Sequence, residues 1–279
     1  MLEWTGERYV PWLEEASIGY EHLHRYAYAS QFVKDKRVLD LACGEGYGSH
    51  LLAQIAKSVM GIDIDEKAIK HASNKYIKNN LQFKVGSITD IPIEGKHLFD
   101  VIVSYEAIEH IEDHVVFLKE VKRLLIPDGL FIVSTPNKKV YTDEPNYKNP
   151  FHLNELYFDE LKALFEKYFK QVKFLGQRIY CNSNIWPVFL KDNTNFTEYV
   201  IERNPKEFTF VDKDKRIPLY FIVIASDGEQ EIDEKASILV DSSNELLRQR
   251  ESALQAQEQA QGEKEQQVIQ LTEDRKSVV

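Results

Sequence analysis

Two cysteines in 279 residues, Cys43 and Cys181, are too few for a disulfide framework, which suits a reducing compartment. No apolar run approaches the length that spans a bilayer. The first residues, Met1-Leu2-Glu3-Trp4-Thr5-Gly6-Glu7-Arg8, lack the basic-then-apolar order of a secretory signal. Positive charge is in deficit. Lys and Arg number 35 against 45 Asp and Glu, the formal net charge is −10 and the isoelectric point is near 5.4. That balance argues against a nucleic-acid-binding surface. The expectation is a cytoplasmic protein with no membrane span and no nucleic-acid partner. What the chain does have is 43% apolar residues, enough for one large α/β domain plus an appendage.

The chain is organised around the stretch from Val38 to Ser49, VLDLACGEGYGS. Its first half is an aliphatic run of the kind that forms a buried strand. Its second half carries Gly44, Gly46 and Gly48 at alternate positions. Glycine permits a tight turn at a strand end and lets the backbone approach a ligand. Leu51, Leu52 and Ile55 then recur at helical spacing. The pattern predicts strand, glycine loop and helix. A phosphate-binding P-loop needs Lys-Ser/Thr after the last glycine, and Gly48-Ser49-His50 has none. A dinucleotide loop needs its third glycine one position later, and Asp40 does not belong to that fingerprint.

Strands and helices alternate around this stretch. Strands are predicted at 59–64, 81–85, 99–104, 130–134, 171–175 and 217–225, giving seven with the first. Helices are predicted at 20–32, 66–79, 115–125 and 155–169. The alternation implies a parallel sheet with right-handed crossovers. Residues 177–216 read as a long irregular segment. The domain division expected is an N-terminal lid or helix (1–35), the α/β domain (36–226) and a polar tail or linker (227–279).

The D-x-A-x-G-x-G-x-G pattern from Asp40 to Gly48 resembles the first motif of the class I S-adenosylmethionine (SAM) methyltransferases. The resemblance covers roughly residues 36–226. It implies a sheet of order 3-2-1-4-5-7-6, with an antiparallel seventh strand and helices on both faces. It also implies SAM as cofactor. Asp40, Ala42, Gly44 and Gly46 then belong to the cofactor loop. Asp63, nineteen residues after Gly44, would meet the ribose hydroxyls, with a helix N-cap as its alternative role, and Ile64 would flank the adenine. Gly86-Ser87-Ile88-Thr89-Asp90 looks like the family's adenine segment, with Ser87 in place of the usual Asp and Ile88 supplying a backbone N–H. Ser104 to Ile111 resembles another family run, which puts Tyr105 beside the methionine portion. Arg25, in the helix ahead of the first strand, would bind the methionine carboxylate bidentately, and residues 5–9 would add to that lid.

Transfer of a methyl group to an alcohol requires loss of the hydroxyl proton, a task for which a neutral histidine is suited. His152, in the Asn149-Pro150-Phe151-His152 loop, is the first candidate base and His110 the second. Each has a structural role as its alternative. No metal site is expected: His110 and His114 stand four apart without an acidic partner motif. The Thr-Gly-Glu-Arg start, Ser134-Thr135-Pro136-Asn137 and the His152 loop look like bacterial enzymes associated with cell-surface polysaccharide assembly. They point to a sugar hydroxyl as acceptor, with a quinone, phenol or amine as the alternative small molecule. A SAM-binding module that recruits partners is the reading from a different class. In the tail, Ser242 and Glu245 offer a helix capping box. Val240, Leu247, Leu254 and Val268 fall on a heptad spacing that Gln261 interrupts, a weak coiled-coil signal for association through this helix. The last six residues, Asp274 to Val279, break the helical pattern and look like translated sequencing-adapter sequence. On that reading the native chain continues.

Overall fold

The structure is a computed structural model. It describes residues 16–185, 197–203, 207–212, 215–229, 231–245, 247–249, 251–257 and 259–261. The predicted lid residues 5–9 and the chain ending lie outside this set.

Seven strands form one sheet in the order β3-β2-β1-β4-β5-β9-β6. They are β1 (Arg37–Leu41), β2 (Ser58–Asp63), β3 (Leu81–Val85), β4 (Phe99–Tyr105), β5 (Leu125–Pro136), β6 (Gln171–Gln177) and β9 (Tyr220–Ser226). The first five pair in parallel, and β9 is antiparallel to both β5 and β6. This is the order 3-2-1-4-5-7-6 that the family resemblance implies.

Helices pack on both faces because the strands alternate their side chains with period two. Leu39, Leu41, Ile102, Phe131 and Val223 face a core completed by Phe117 and Val121 of α4 (His114–Leu124) and Phe165 of α5 (Phe158–Tyr168). Val38, Val101, Val103, Ile132 and Ile224 face Tyr26, Ala29 and Val33 of α1 (Ala16–Val33) and Leu52 of α2 (Tyr47–Leu52).

Several boundaries differ from the sequence expectation. Helix α2 has only six residues; Leu52 is buried, while Leu51 and Ile55 are exposed. Helix α3 (Glu66–Lys75) stops four residues early, where Tyr76 leaves the helix and donates its hydroxyl to the buried Glu45 at 2.8 Å. Strand β5 starts at Leu125, five residues ahead of the predicted 130, and runs through Pro127-Asp128-Gly129. A register shift between Phe99 and Val101 absorbs those residues. Part of the supposedly irregular segment forms a hairpin, β7 (Val200–Arg203) with β8 (Phe208–Val211).

The tail does not leave the domain at residue 227. Asp227 pairs with Lys122, and Gly228 accepts from Gln171. Ile232 is buried with the α1-side core. Ser237 meets His24 at 3.0 Å, and Asp241 accepts from Tyr20. Residues 231–241 thus strap α1 to the sheet. The helical run within 245–261 follows, capped by Asp241, which takes the Glu245 N–H at 2.8 Å; Ser242 does not cap it. Leu247 and Leu254 on that run are exposed. Among the described residues, no helix is long and apolar enough to cross a membrane.

Candidate functional site

Strand register brings the chemistry to one edge of the sheet. Leu41 pairs with Ile62 and Ser104, Asp63 with Val85, and Tyr105 with Ser134. Tyr220, at the start of the antiparallel β9, pairs with Pro136 and with Gln177 at the end of β6. The ends of β1 to β6 therefore meet the beginning of β9, where ligands of open α/β sheets bind.

The loop after β1 holds Ala42, Gly44 and Gly46 at φ of 58°, 55° and 91°. At Gly46 an added Cβ would also stand 2.7 Å from Ala72 Cβ, so only glycine fits. Asp63 is almost fully buried and accepts from Gly44 N at 2.8 Å and Asp65 N at 2.9 Å. The N-cap alternative for Asp63 fails, since Asp65 caps α3 by accepting from Lys67 N at 2.8 Å. Ile64 projects into solvent beside it, 75% exposed. Ser87 is taken up locally, its hydroxyl 2.8 Å from Thr89 Oγ1. Ile88 turns its side chain into the core, which leaves its backbone for any ligand.

Two residues expected to line the cofactor have partners within the fold. Asp40 lies on the α1 face of β1, fully buried, and accepts from Ser49 Oγ at 2.6 Å and Tyr26 Oη at 3.2 Å. Burial raises its pKa to about 7 against those two bonds. The period-two alternation of the strand, invisible in the motif itself, aims it at α1. Tyr105 packs edge-on against Tyr26 with ring centroids 5.0 Å apart and donates to the Arg25 carbonyl at 3.3 Å.

Arg25 is itself 1% exposed. Its Nε donates to Gln177 Oε1 at 2.7 Å, and its guanidinium lies 4.5 Å from the Tyr220 ring centroid. Glu106 Oε1 stands 3.4 Å from Nη2, an ion pair without a hydrogen bond, so both terminal nitrogens are buried and unsatisfied. Such a group is costly to bury without a partner. Glu21 lies in the same cluster, its pKa raised to about 7 by burial, with the Arg25 charge opposing the shift. Gln177, Tyr220 and Glu21 were missed by sequence reasoning. Gln177 and Tyr220 are 152 and 195 positions from Arg25 and match no motif. Glu21 lies in the predicted 20–32 helix but carried no signal of its own.

The two histidines converge at the same edge. Their rings meet edge-on with centroids 4.9 Å apart. His110 Nδ1 is 2.9 Å from the Phe151 carbonyl, and His152 Nδ1 is 2.5 Å from Glu155 Oε1. Asn149 Nδ2 donates to His152 Nε2 at 3.1 Å. Glu109, unremarked in the sequence, stands beside them: ligand atoms of Glu109, His110 and His152 all lie within 4.8 Å of one another. This departs from the expectation that nothing is spaced for a metal, because His152 reaches the other two across 42 residues of chain through the loop after β5. His114 is not in the group.

This edge can hold a zwitterionic nucleoside: a carboxylate and bare backbone at one end, an unsatisfied buried guanidinium at the other. Residues 32–193 match the methyltransferase-domain family, and the chain belongs to it. Its domain is a class I SAM-dependent methyltransferase domain, with SAM as cofactor. A Mycolicibacterium smegmatis protein named a probable S-adenosylmethionine-dependent methyltransferase is 36% identical over 169 residues, 59% of this chain and 64% of that protein. One from Mycobacterium tuberculosis is 34% identical over 174 residues, 59% of this chain and 60% of that protein. The ubiquinone biosynthesis O-methyltransferase of Pelagibacter ubique is 34% identical over 106 residues, 38% of this chain and 44% of that enzyme. The chain thus spans less than two thirds of each of these relatives. A SAM-dependent methyltransferase structure from Listeria monocytogenes shares the fold, with a TM-score of 0.52 and 20% identity over 78% of this chain and 100% of that one. None of these names mentions polysaccharide assembly.

Proposed function

We propose that the whole protein transfers the methyl group of SAM to an oxygen of a small phenolic or quinol acceptor. The observation that carries the cofactor half is Arg25: a fully buried guanidinium, paired with Glu106 at 3.4 Å but with no hydrogen bond on either terminal nitrogen, has donors left for a ligand carboxylate. The acceptor half is supported by the kinship with ubiquinone-biosynthesis O-methyltransferases and by aromatic rings around His152, with Tyr141 stacked 5.5 Å from it. A sugar hydroxyl, suggested by the loop sequences, has no comparable support.

SAM, when bound, supplies a methyl group made electrophilic by the sulfonium. Asp63, held in place by the Gly44 and Asp65 N–H groups, accepts the ribose hydroxyls. Ile64 covers the adenine, and the Ile88 N–H and Ser87 meet its edge. Ala42, Gly44 and Gly46 bring bare backbone to the ligand, and Arg25 pairs with the methionine carboxylate. Asp40 and Tyr105 hold the loop and α1 in place. Most of the acceleration comes from aligning two reactants in line. His110 and His152 stand at the acceptor end and govern loss of the hydroxyl proton.

Calorimetric titration tests the cofactor half. SAM should bind, NAD should not, and Asp63→Ala should weaken SAM by about 2 kcal/mol, the loss of charge-assisted hydrogen bonds. NAD binding without SAM binding overturns it. Methyl transfer from labelled SAM to catechols, quinols and sugars tests the acceptor; turnover on sugars alone overturns the phenolic assignment.

A further inference from the structure

We infer that Glu109, His110 and His152 form a binding site for one divalent transition-metal cation at the acceptor end of the crevice. Three observations converge on it. The ligand atoms lie within 4.8 Å of one another on two separate segments, the 3-10 turn Ile108–His110 and the loop after β5. Glu109 is 1% exposed, accepts from Thr135 Oγ1 at 3.2 Å through Oε2, and leaves Oε1 buried without a hydrogen-bond partner. A buried carboxylate oxygen in that state is stabilised by a cation.

The third observation is the outer shell. Metal-binding histidines characteristically donate the N–H of the non-ligating nitrogen to a carboxylate or a carbonyl. Both histidines do so here: His152 Nδ1 to Glu155, and His110 Nδ1 to the Phe151 carbonyl. Glu155 is held in turn by Thr142 Oγ1 at 2.6 Å, and the His152 side chain is only 6% exposed. The tautomers set by these bonds put the Nε2 lone pair of each ring on the side away from its anchor. The Asn149 bond to His152 Nε2 is a contact the cation would replace. Ligands around one first-row ion stand about 3.0–3.5 Å apart, so the three side chains close by roughly 1 Å on binding. Two imidazoles and one carboxylate select Zn²⁺, Mn²⁺ or Fe²⁺ over Mg²⁺ or Ca²⁺, and they leave coordination positions open.

The role of the cation, unlike its binding, rests on the proposed O-methyl transfer. Open positions suit the adjacent oxygens of a catechol or quinol. The cation lowers the pKa of the acceptor hydroxyl, whose proton leaves to solvent. The oxygen then takes the methyl group, and the electron pair of the broken S–C bond stays on sulfur. His110 and His152 act as ligands in this scheme, in place of bases.

The test uses the full chain, stripped with chelator and titrated with Mn²⁺ while the free-ion paramagnetic resonance signal is followed, with Zn²⁺ by calorimetry in parallel. One ion per chain is expected. Binding should weaken at least tenfold in Glu109→Gln, His110→Asn and His152→Asn, with SAM binding retained as the measure of folding. A protein that binds SAM and takes up neither ion at 1 mM overturns the site, as does uptake unchanged in all three variants. Stoichiometric, variant-sensitive metal binding without SAM binding upholds the site and overturns the proposed function.

Discussion

Gly48→Ala is a sharp test of how the cofactor loop is built. An alanine Cβ at this position would stand 1.9 Å from Tyr26 Cζ and 2.2 and 2.3 Å from the flanking ring carbons. Carbon atoms pack at about 3.5–4.0 Å, so the ring must retreat by roughly 1.6 Å or α1 must move. The ring has nowhere to go. It meets Tyr47 and Tyr105 edge-on, at centroid distances of 5.4 and 5.0 Å, and its hydroxyl donates to the buried Asp40. Gly48 lies inside α2 with ordinary helical torsions, so alanine by itself would gain about 1 kcal/mol of helix propensity. Overpacking costs about 1–3 kcal/mol and losing the Tyr26–Asp40 bond a further 1–2. The net expectation is a loss of about 2–3 kcal/mol, or roughly 5–10 °C in thermal unfolding followed by circular dichroism. SAM affinity should fall about tenfold in calorimetry, because α1 carries Arg25. In a Tyr26→Leu background the same substitution should be neutral or stabilising. Unchanged stability of Gly48→Ala in the otherwise native chain would refute the reasoning.

Three further outcomes follow from the geometry. Deleting residues 242–279 should leave folding and SAM binding intact, whereas deleting 231–279 should cost about 2–4 kcal/mol, as expected for removing the buried Ile232, together with the contacts to Tyr20 and His24; equal stability of the two truncations in urea unfolding would show that the strap is idle. Asp40 and Glu21 have folded pKa values raised to about 7 from 3.8 and 4.5, so the native state holds more protons in that window. Their contribution to the stability of the ligand-free protein should therefore fall as pH rises from about 4 to about 7, against the opposite slope of His22, His24, His50 and His114, whose pKa values burial lowers; the difference in stability between the native chain and Asp40→Asn in denaturant titrations should shift toward the variant over that range, and a difference independent of pH would contradict the burial of Asp40. Arg25→Lys keeps the charge but loses the planar fork that reaches Gln177 and a carboxylate together, so SAM should dissociate about tenfold more readily with little change in kcat at saturation; native affinity would remove Arg25 from the site.

Much of this protein was legible in its sequence because the information was local. The alternation of aliphatic runs with amphipathic helices placed every strand of the parallel sheet, and the glycines after β1, with Asp63 nineteen positions on, fall at the sheet edge proposed to hold the cofactor. Period-two patterning and glycine torsions act over a few residues, and a linear reading recovers them. The tertiary structure decided what depends on contacts between distant segments. It turned Asp40 toward Tyr26, and it buried Arg25 against Gln177 and Tyr220 by inserting an antiparallel β9 between β5 and β6. It drew residues 231–241 back across α1, and it closed 42 residues of chain to set His152 beside Glu109 and His110. Burial and charge pairing are properties of the packed sheet edge, where six strand ends and one beginning meet, and no stretch of sequence contains that edge.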